Sequence, residues 1–145
     1  MKRTASAIWS GDLNSGHGAL ATHSGVLKDT PYSFATRFEG AQGTNPEELI
    51  AAAHAGCFTM ALSASLGKAG FTPKRLATQA TVSLEFSGGS WSVPSVHLEN
   101  EAWVPGISAE QFAQIAADAK ANCPISRLLR AEISLNAKLE PGESR

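Results

Sequence analysis

The spacing of apolar and polar positions changes several times along the chain, and each change predicts an element. "TASAIWS", "HGALATH" and "YSFATRF" are short segments separated by Gly, Asn, Asp and Pro, which predicts three β-strands joined by turns. At "GTNPEELI" the signal becomes that of a helix start. Asn45 can cap, Pro46 suits the first turn and Glu48 stands three residues after the cap, so a helix is predicted to about Lys68, with Gly70 as its stop. From Leu76 the pattern alternates: Leu76, Ala80, Val82, Leu84 and Phe86 share one face, and Gln79, Ser83 and Glu85 the other. "SGGS" is turn chemistry, and "WSVPSVHLENEAWV" reads as the returning strand, with Pro94 marking an edge or a bulge. "PGISAEQFAQIAADAKAN" predicts a second helix capped by Ser108 with Gln111 three residues on. Cys123 ends it, Pro124 prevents a smooth continuation, and "ISRLLRAE" makes a short further helix. The last strand is "EISLNAKLE", with Ile133, Leu135, Ala137 and Leu139 on one side.

The order βββ-α-ββ-αα-β is that of an α+β protein. It lacks the regular alternation of a doubly wound fold, and neither a P-loop nor a dinucleotide-binding glycine fingerprint follows any strand. At 145 residues, with no internal repeat or linker, a single domain over 1–145 is expected.

Twelve basic and thirteen acidic residues, spread along the chain for a net charge of −1, leave no basic stripe for nucleic acid and no polybasic membrane patch. Charged residues are only 17% of the chain while Ala and Gly are plentiful, which suggests surface hidden against a partner. The opening "MKRTASAIWSGDLNSGHG" has no apolar core of signal-peptide length, and no run of some eighteen apolar residues is apparent, so the expectation is a cytoplasmic protein with no membrane partner.

In that compartment thiols stay reduced, and two cysteines 66 positions apart are expected to be inert, metal-bound or redox-active rather than a permanent bridge. Cys57 lies in "AAAHAGCFTMAL", where a cysteine ordinarily serves as a small core residue. Three features favour chemistry. Cys123 precedes Pro124 at a helix junction, where free backbone N–H groups favour a thiolate; Arg37 ends the "YSFATRF" strand before a Gly-bearing loop; Glu47 opens the cysteine helix. A metal site is the first competitor, since His54 and Cys57 lie three apart and His17, His23 and Cys123 could complete a set. No C-x-x-C or H-x-x-x-H pair occurs, and His17 and His23 lie among turn residues, so no metal is expected. His54 alone reads as a core histidine bonded to a carbonyl, and His97 as an ordinary strand residue. "SASLG" and "GIS" lack the G-x-S-x-G setting of a serine hydrolase, and the missing C-x-x-C argues against a thioredoxin-type site. The residues alone leave Cys57 open between filler and reagent.

"RFEGAQGTNPEELIAAAHAGCFTMAL" and "ANCPISRLL" resemble the two signature stretches of the OsmC/Ohr family of hydroperoxide peroxidases, and the element order, with "IWSGDLNSGHG" and "SGVL" upstream, agrees over nearly the whole chain. The resemblance implies an OsmC-like fold in an intertwined homodimer, antiparallel sheets wrapped around central helices. It also implies a thiol peroxidase that reduces organic hydroperoxides with no metal and no cofactor. Carried over by position, Cys57 is the peroxidatic cysteine, Cys123 the resolving one, Arg37 the activating arginine and Glu47 its carboxylate partner, with Glu48 as the alternative partner. An arginine in "RFEG" is the mark of the OsmC branch; the Ohr branch draws its arginine from the early strand region, where this chain has "SGHG". The family suggests a lipoyl-bearing protein as the dithiol reductant.

The implied roles are chemically coherent. Only a thiolate attacks a peroxide O–O bond well, and an ordinary cysteine is mostly thiol at neutral pH. A guanidinium cannot lose its proton, and its fork can hold a carboxylate on one edge while another N–H faces sulfur or peroxide. Attack yields a sulfenic acid, which a second thiol condenses to a disulfide. Phe34, Phe38, Phe58, Met60 and Leu62 would suit an alkyl chain as the substrate pocket, although each reads more readily as ordinary core. The alternative from another class is a ligand-binding or structural dimer of the same fold in which both cysteines are spectators.

Overall fold

The computed structural model describes residues 1–142. The chain forms two compact units, Met1–Leu49 and Ile50–Arg145. In the first, strands β1 (Ala5–Ser10), β2 (His17–Thr22) and β3 (Thr30–Tyr32) form an antiparallel sheet in that order, with Ile8 opposite Ala19 and Gly18 opposite Tyr32. The β1–β2 turn is tied by Asp12, whose carboxylate accepts the N–H groups of Asn14 and Ser15 at 2.9 Å each.

Gly18 is the one buried residue among 1–49. A Cβ there would lie 2.5 Å from the Tyr32 ring and 2.6 Å from the Ile8 carbonyl oxygen, so glycine is what lets Trp9 and Tyr32 pack with ring centroids 5.4 Å apart. Gly18→Ala is therefore expected to lower stability by about 1–3 kcal/mol, the usual cost of overpacking, as measured by urea denaturation. A loss near zero would mean the sheet shifts freely around this position.

The third segment departs from expectation. Only Thr30–Tyr32 is strand; "FATRF" is instead a short helix, α1 (Phe34–Phe38). Local hydrogen bonds override the aromatic strand pattern: the Ser33 hydroxyl accepts the Thr36 N–H at 3.2 Å, and the Thr36 hydroxyl accepts the Ser33 N–H at 2.9 Å. Arg37 therefore lies in the last turn of a helix rather than at a strand end.

Helix α2 (Pro46–Lys68) starts as predicted, with Asn45 Oδ1 accepting the Glu48 N–H at 2.9 Å. Glu48 does not close a reciprocal box, because its carboxylate takes the Thr44 hydroxyl. The helix ends in a Schellman motif: Gly70, at φ 90°, donates to Gly67, and Phe71 donates to Leu66 at 2.9 Å.

In the second unit, β4 (Arg75–Ser87), β5 (Ser90–Trp103) and β6 (Glu132–Leu139) form a sheet with β5 central. Gly88 and Gly89, both at positive φ, make the two-residue β4–β5 hairpin. β6 runs parallel to β5, Val96 opposite Ile133, so this sheet is mixed and not antiparallel as the family resemblance implied. Pro94 marks a bulge: the β4–β5 register skips between Ser83 and Glu85, and β6 pairs with β5 only from Ser95 onward, where no proline N–H is needed. Beyond Leu84 both faces of β4 are exposed. Phe86, expected on the core face, is 60% exposed and meets the Trp91 ring edge-on, with centroids 5.3 Å apart.

Helix α3 (Ala109–Asn122) is capped by Ser108, and α4 (Pro124–Leu128) follows after Cys123, which is C-cap of one and N-cap of the other. Phe58, Leu62 and Leu66 of α2 pack with Val96, Leu98 and Ala102 of β5 and with Phe112, Ala116 and Ala119 of α3.

The opposite face of α2 is unusual. Ala52, Ala53, Gly56, Met60, Ser63, Ala64 and Gly67 are exposed at helical spacing, and no Asp, Glu, Lys or Arg lies between Glu48 and Lys68. By length and composition this helix is apolar enough to cross a membrane, although no unbroken run of some eighteen apolar residues occurs, because Ser, Thr and Gly interrupt the run without adding charge.

Candidate active site

Cys57 adjoins the buried α2 stripe of His54, Phe58, Leu62 and Leu66, and is half-buried. Cys123, fully buried at the α3–α4 junction, reaches it. The two thiols share a hydrogen bond, and the Ile125 backbone N–H donates to Cys57. That donor is free for a sequence reason. Pro124 occupies the first position of α4 and Ile125 the second, where an N–H has no intrahelical acceptor.

Burial is the largest influence on Cys57 and pushes its thiol above the ordinary range; the bond with Cys123 acts the same way, and the Ile125 N–H opposes them by favouring the thiolate. The groups acting on Cys57 thus keep it protonated at neutral pH.

His54 is fully buried one turn before Phe58. Its Nε2 lies 2.7 Å from the Ser126 hydroxyl of α4, not against a carbonyl as expected. Burial lowers its pKa, so the ring is neutral at pH 7. Nδ1 has no hydrogen-bond partner among the described residues. His97 is exposed on β5 between Ser134 and Glu99. Among the described residues no three His, Cys, Asp or Glu side chains gather as a metal-binding group, and His17 and His23 lie on β2 and just after it.

In the first unit Arg37 and Glu47 form a forked ion pair. Arg37 Nη2 donates to Glu47 Oε1 at 2.6 Å, and Nε reaches both carboxylate oxygens at 3.2 Å. Glu48 is occupied by Thr44, so Glu47 is the partner. Nη1 has no hydrogen-bond partner among the described residues, so one edge of the guanidinium remains available. The guanidinium carbon lies 5.1 Å from the Phe38 ring centroid, and the Phe38 ring is tilted against that of Phe34 with centroids 4.8 Å apart.

Phe58 and Met60, both expected to line the substrate pocket, differ in burial. Phe58 is wholly buried in the core of the second unit, whereas Met60 is 76% exposed. Two steps along a helix turn a side chain by about 200°, so these two face opposite ways. Leu62 is also core. Sequence reasoning missed the Ile125 N–H and Ser126; a proline at the first position of α4 was the available signal for the former.

The family model for OsmC-like protein matches residues 39–138, a span that takes in Glu47, Cys57 and Cys123. The chain is 52% identical over 134 residues to the peroxiredoxin OsmC of Escherichia coli K12, covering 92% of this chain and 94% of that protein. It is 31% identical over 103 residues to an organic hydroperoxide resistance protein of Xanthomonas axonopodis pv. citri, 69% of each chain. An OsmC-like protein from Vibrio cholerae O1 biovar eltor has the same fold, with a TM-score of 0.75 at 18% identity over 94% of this chain and 99% of that one. With two small sheets and four helices among the described residues, and with these relatives, the chain belongs to the OsmC-like protein family and has its α+β fold.

Proposed function

We propose that this protein is a thiol peroxidase that reduces organic hydroperoxides to alcohols in defence against oxidative stress. Its relatives named peroxiredoxin OsmC and organic hydroperoxide resistance protein support the activity. The observation that carries the mechanism is the meeting of Cys57 and Cys123 across 66 residues of sequence, one thiol half-buried and the other fully buried.

The Cys57 thiolate attacks the terminal peroxide oxygen, the O–O bond breaks, and the alkoxide leaves as the alcohol after taking a proton. Cys57 is then a sulfenic acid. Cys123 attacks its sulfur, the S–O bond breaks, and water leaves with the Cys123 proton as the disulfide forms. A dithiol, for which a lipoyl-bearing protein is the family's suggestion, restores both thiols by exchange. The reaction requires no metal or other cofactor, and the cytoplasm, where dithiols are plentiful, is its place.

The working form is a homodimer. A helix face of Ala, Gly, Ser and one Met with no charge suits close approach of a second helix better than water, and better than lipid, which Leu, Ile and Phe normally face. The first 49 residues bury a single glycine, so they too need cover. Glu47 and Cys57 are ten residues apart on α2, a rise of about 15 Å, and point to different sides. Two copies of α2 crossing antiparallel about a two-fold axis near Ala52 bring position 47 of one level with position 57 of the other. Each site then joins Cys57 and Cys123 of one chain to the Arg37–Glu47 pair of the partner subunit. The Arg37 edge opposite Glu47 supplies the cation that Cys57 lacks among the groups acting on it, and Phe34 and Phe38 supply an apolar wall.

A steady-state assay with dihydrolipoamide as reductant tests the reading. Cumene hydroperoxide is expected to exceed hydrogen peroxide in kcat/KM by well over tenfold, since each methylene-sized group buried contributes roughly 0.8 kcal/mol. No consumption of either peroxide would leave the spectator-cysteine dimer as the correct reading.

A further inference from the structure

The geometry points to His54 and Ser126 as a positioning pair for disulfide formation: their hydrogen bond holds α4 on α2 while Cys123 closes onto oxidised Cys57. This deepens the peroxidase reading and rests on it. His54 stands three residues before Cys57, and Ser126 three residues after Cys123, so the 2.7 Å bond between them is a second rung beside the cysteine rung.

Helix α4 needs such a rung. It is five residues long, has no buried residue and begins at the break made by Pro124. Among the described residues, the other polar links from this segment to α2 end on the Cys57 sulfur, from Cys123 and from the Ile125 N–H. Oxidation of Cys57 replaces the thiol with a sulfenic acid, so the first link is lost and the second changed just when Cys123 must attack. The His54–Ser126 bond does not involve sulfur and survives the step.

The cost of His54 points the same way. It occupies the stripe continued by Phe58, Leu62 and Leu66, where an apolar side chain would pack without leaving Nδ1 unpartnered in the interior. Burial keeps the ring neutral, which spares the core a charge. Attack by Cys123 requires the two Cα atoms within about 4.4–6.8 Å, a window that a loosened α4 leaves easily. A sulfenic acid that waits meets a second hydroperoxide and becomes sulfinic acid.

The test separates the two chemical steps in Ser126→Ala, Ser126→Thr and the unaltered protein. Sulfenic acid formation with cumene hydroperoxide is followed by stopped flow, and disulfide formation by quenched alkylation and mass spectrometry. Ser126→Ala is expected to form sulfenic acid within about twofold of the unaltered rate but to close the disulfide roughly tenfold more slowly, as for a lost hydrogen bond of about 1.4 kcal/mol, and to accumulate sulfinic acid. Ser126→Thr, which keeps the hydroxyl, should restore closure; equal closure in Ser126→Ala and the unaltered protein, or Thr behaving as Ala, overturns the proposal. Closure driven by diamide supplies the arm that needs no peroxidase. Slowed closure there in Ser126→Ala upholds the positioning pair even if the unaltered protein ignores hydroperoxides, whereas unchanged closure overturns it.

Discussion

Cys57→Ser is expected to abolish hydroperoxide reduction, with a fall of at least about a thousandfold in kcat/KM, because a serine hydroxyl stays protonated at neutral pH and is a poor nucleophile toward a peroxide oxygen. Cys123→Ser is expected to fail differently. It should consume about one equivalent of cumene hydroperoxide per chain and then stop as a sulfenic acid, or proceed to sulfinic acid in excess peroxide. The contrast comes from placement: both sulfurs are in one contact, but only Cys57 is accessible in the chain, whereas Cys123 is shielded at the helix junction. Equal turnover by Cys123→Ser and the unaltered protein would remove the resolving role.

The second large effect concerns Arg37. Burial, and after it the Cys123 contact, push the Cys57 thiol above the ordinary cysteine range, so without further help it stays predominantly protonated at pH 7. If the partner subunit's guanidinium favours the anion, Arg37→Ala should lower kcat/KM for cumene hydroperoxide by about 10²–10³, a size usual for the loss of one preorganised charge. The sign of the pH effect follows from which species reacts. Thiolate alkylates and thiol does not, so Cys57→thioether formation by iodoacetamide should rise with pH, and its midpoint should move upward in Arg37→Ala. A midpoint that does not move would mean Arg37 acts on the peroxide alone.

The same variant decides how the site is shared. If each site is shared between two chains, refolding Cys57→Ser together with Arg37→Ala gives heterodimers in which one site joins an intact Cys57 to an intact Arg37 and the other lacks both. Activity should rise above the average of the two parents, toward half that of the unaltered dimer. If exchange is verified by mass spectrometry and activity stays at the parental average, each site is built within one chain.

Where local signals agree, the fold was legible in the sequence. Asn45, Pro46 and Gly70 bounded α2 correctly, Ser108 with Gln111 opened α3, and Pro94 marked the bulge. Two failures have physical causes. "YSFATRF" has strand-like residues, yet Ser33 and Thr36 exchange hydrogen bonds that fold it into α1, and apolar pattern alone does not weigh that exchange. Phe86 fits a clean alternation, but Glu85, Phe86 and Ser87 at the hairpin end of β4 are exposed on both faces, so alternation there does not mark a buried side. Of the proposed site, Cys57, Cys123 and the Arg37–Glu47 pair are singled out by family resemblance, since spacing by itself leaves the cysteines ambiguous. The choice of Glu47 over Glu48 needed coordinates, because both open the helix and only the Thr44 hydroxyl separates them. Ser126 was invisible for a similar reason: its partner lies 72 residues away.

The central claim is that Cys57 and Cys123 act as one redox pair, and the most direct measurement is a thiol count with peptide mapping after one equivalent of cumene hydroperoxide. The expected result is the loss of both thiols, a mass lower by two hydrogens and a single Cys57–Cys123 disulfide within the chain. Two unreacted thiols with the peroxide intact, or a Cys57 sulfinic acid beside a free Cys123 at one equivalent, would contradict it.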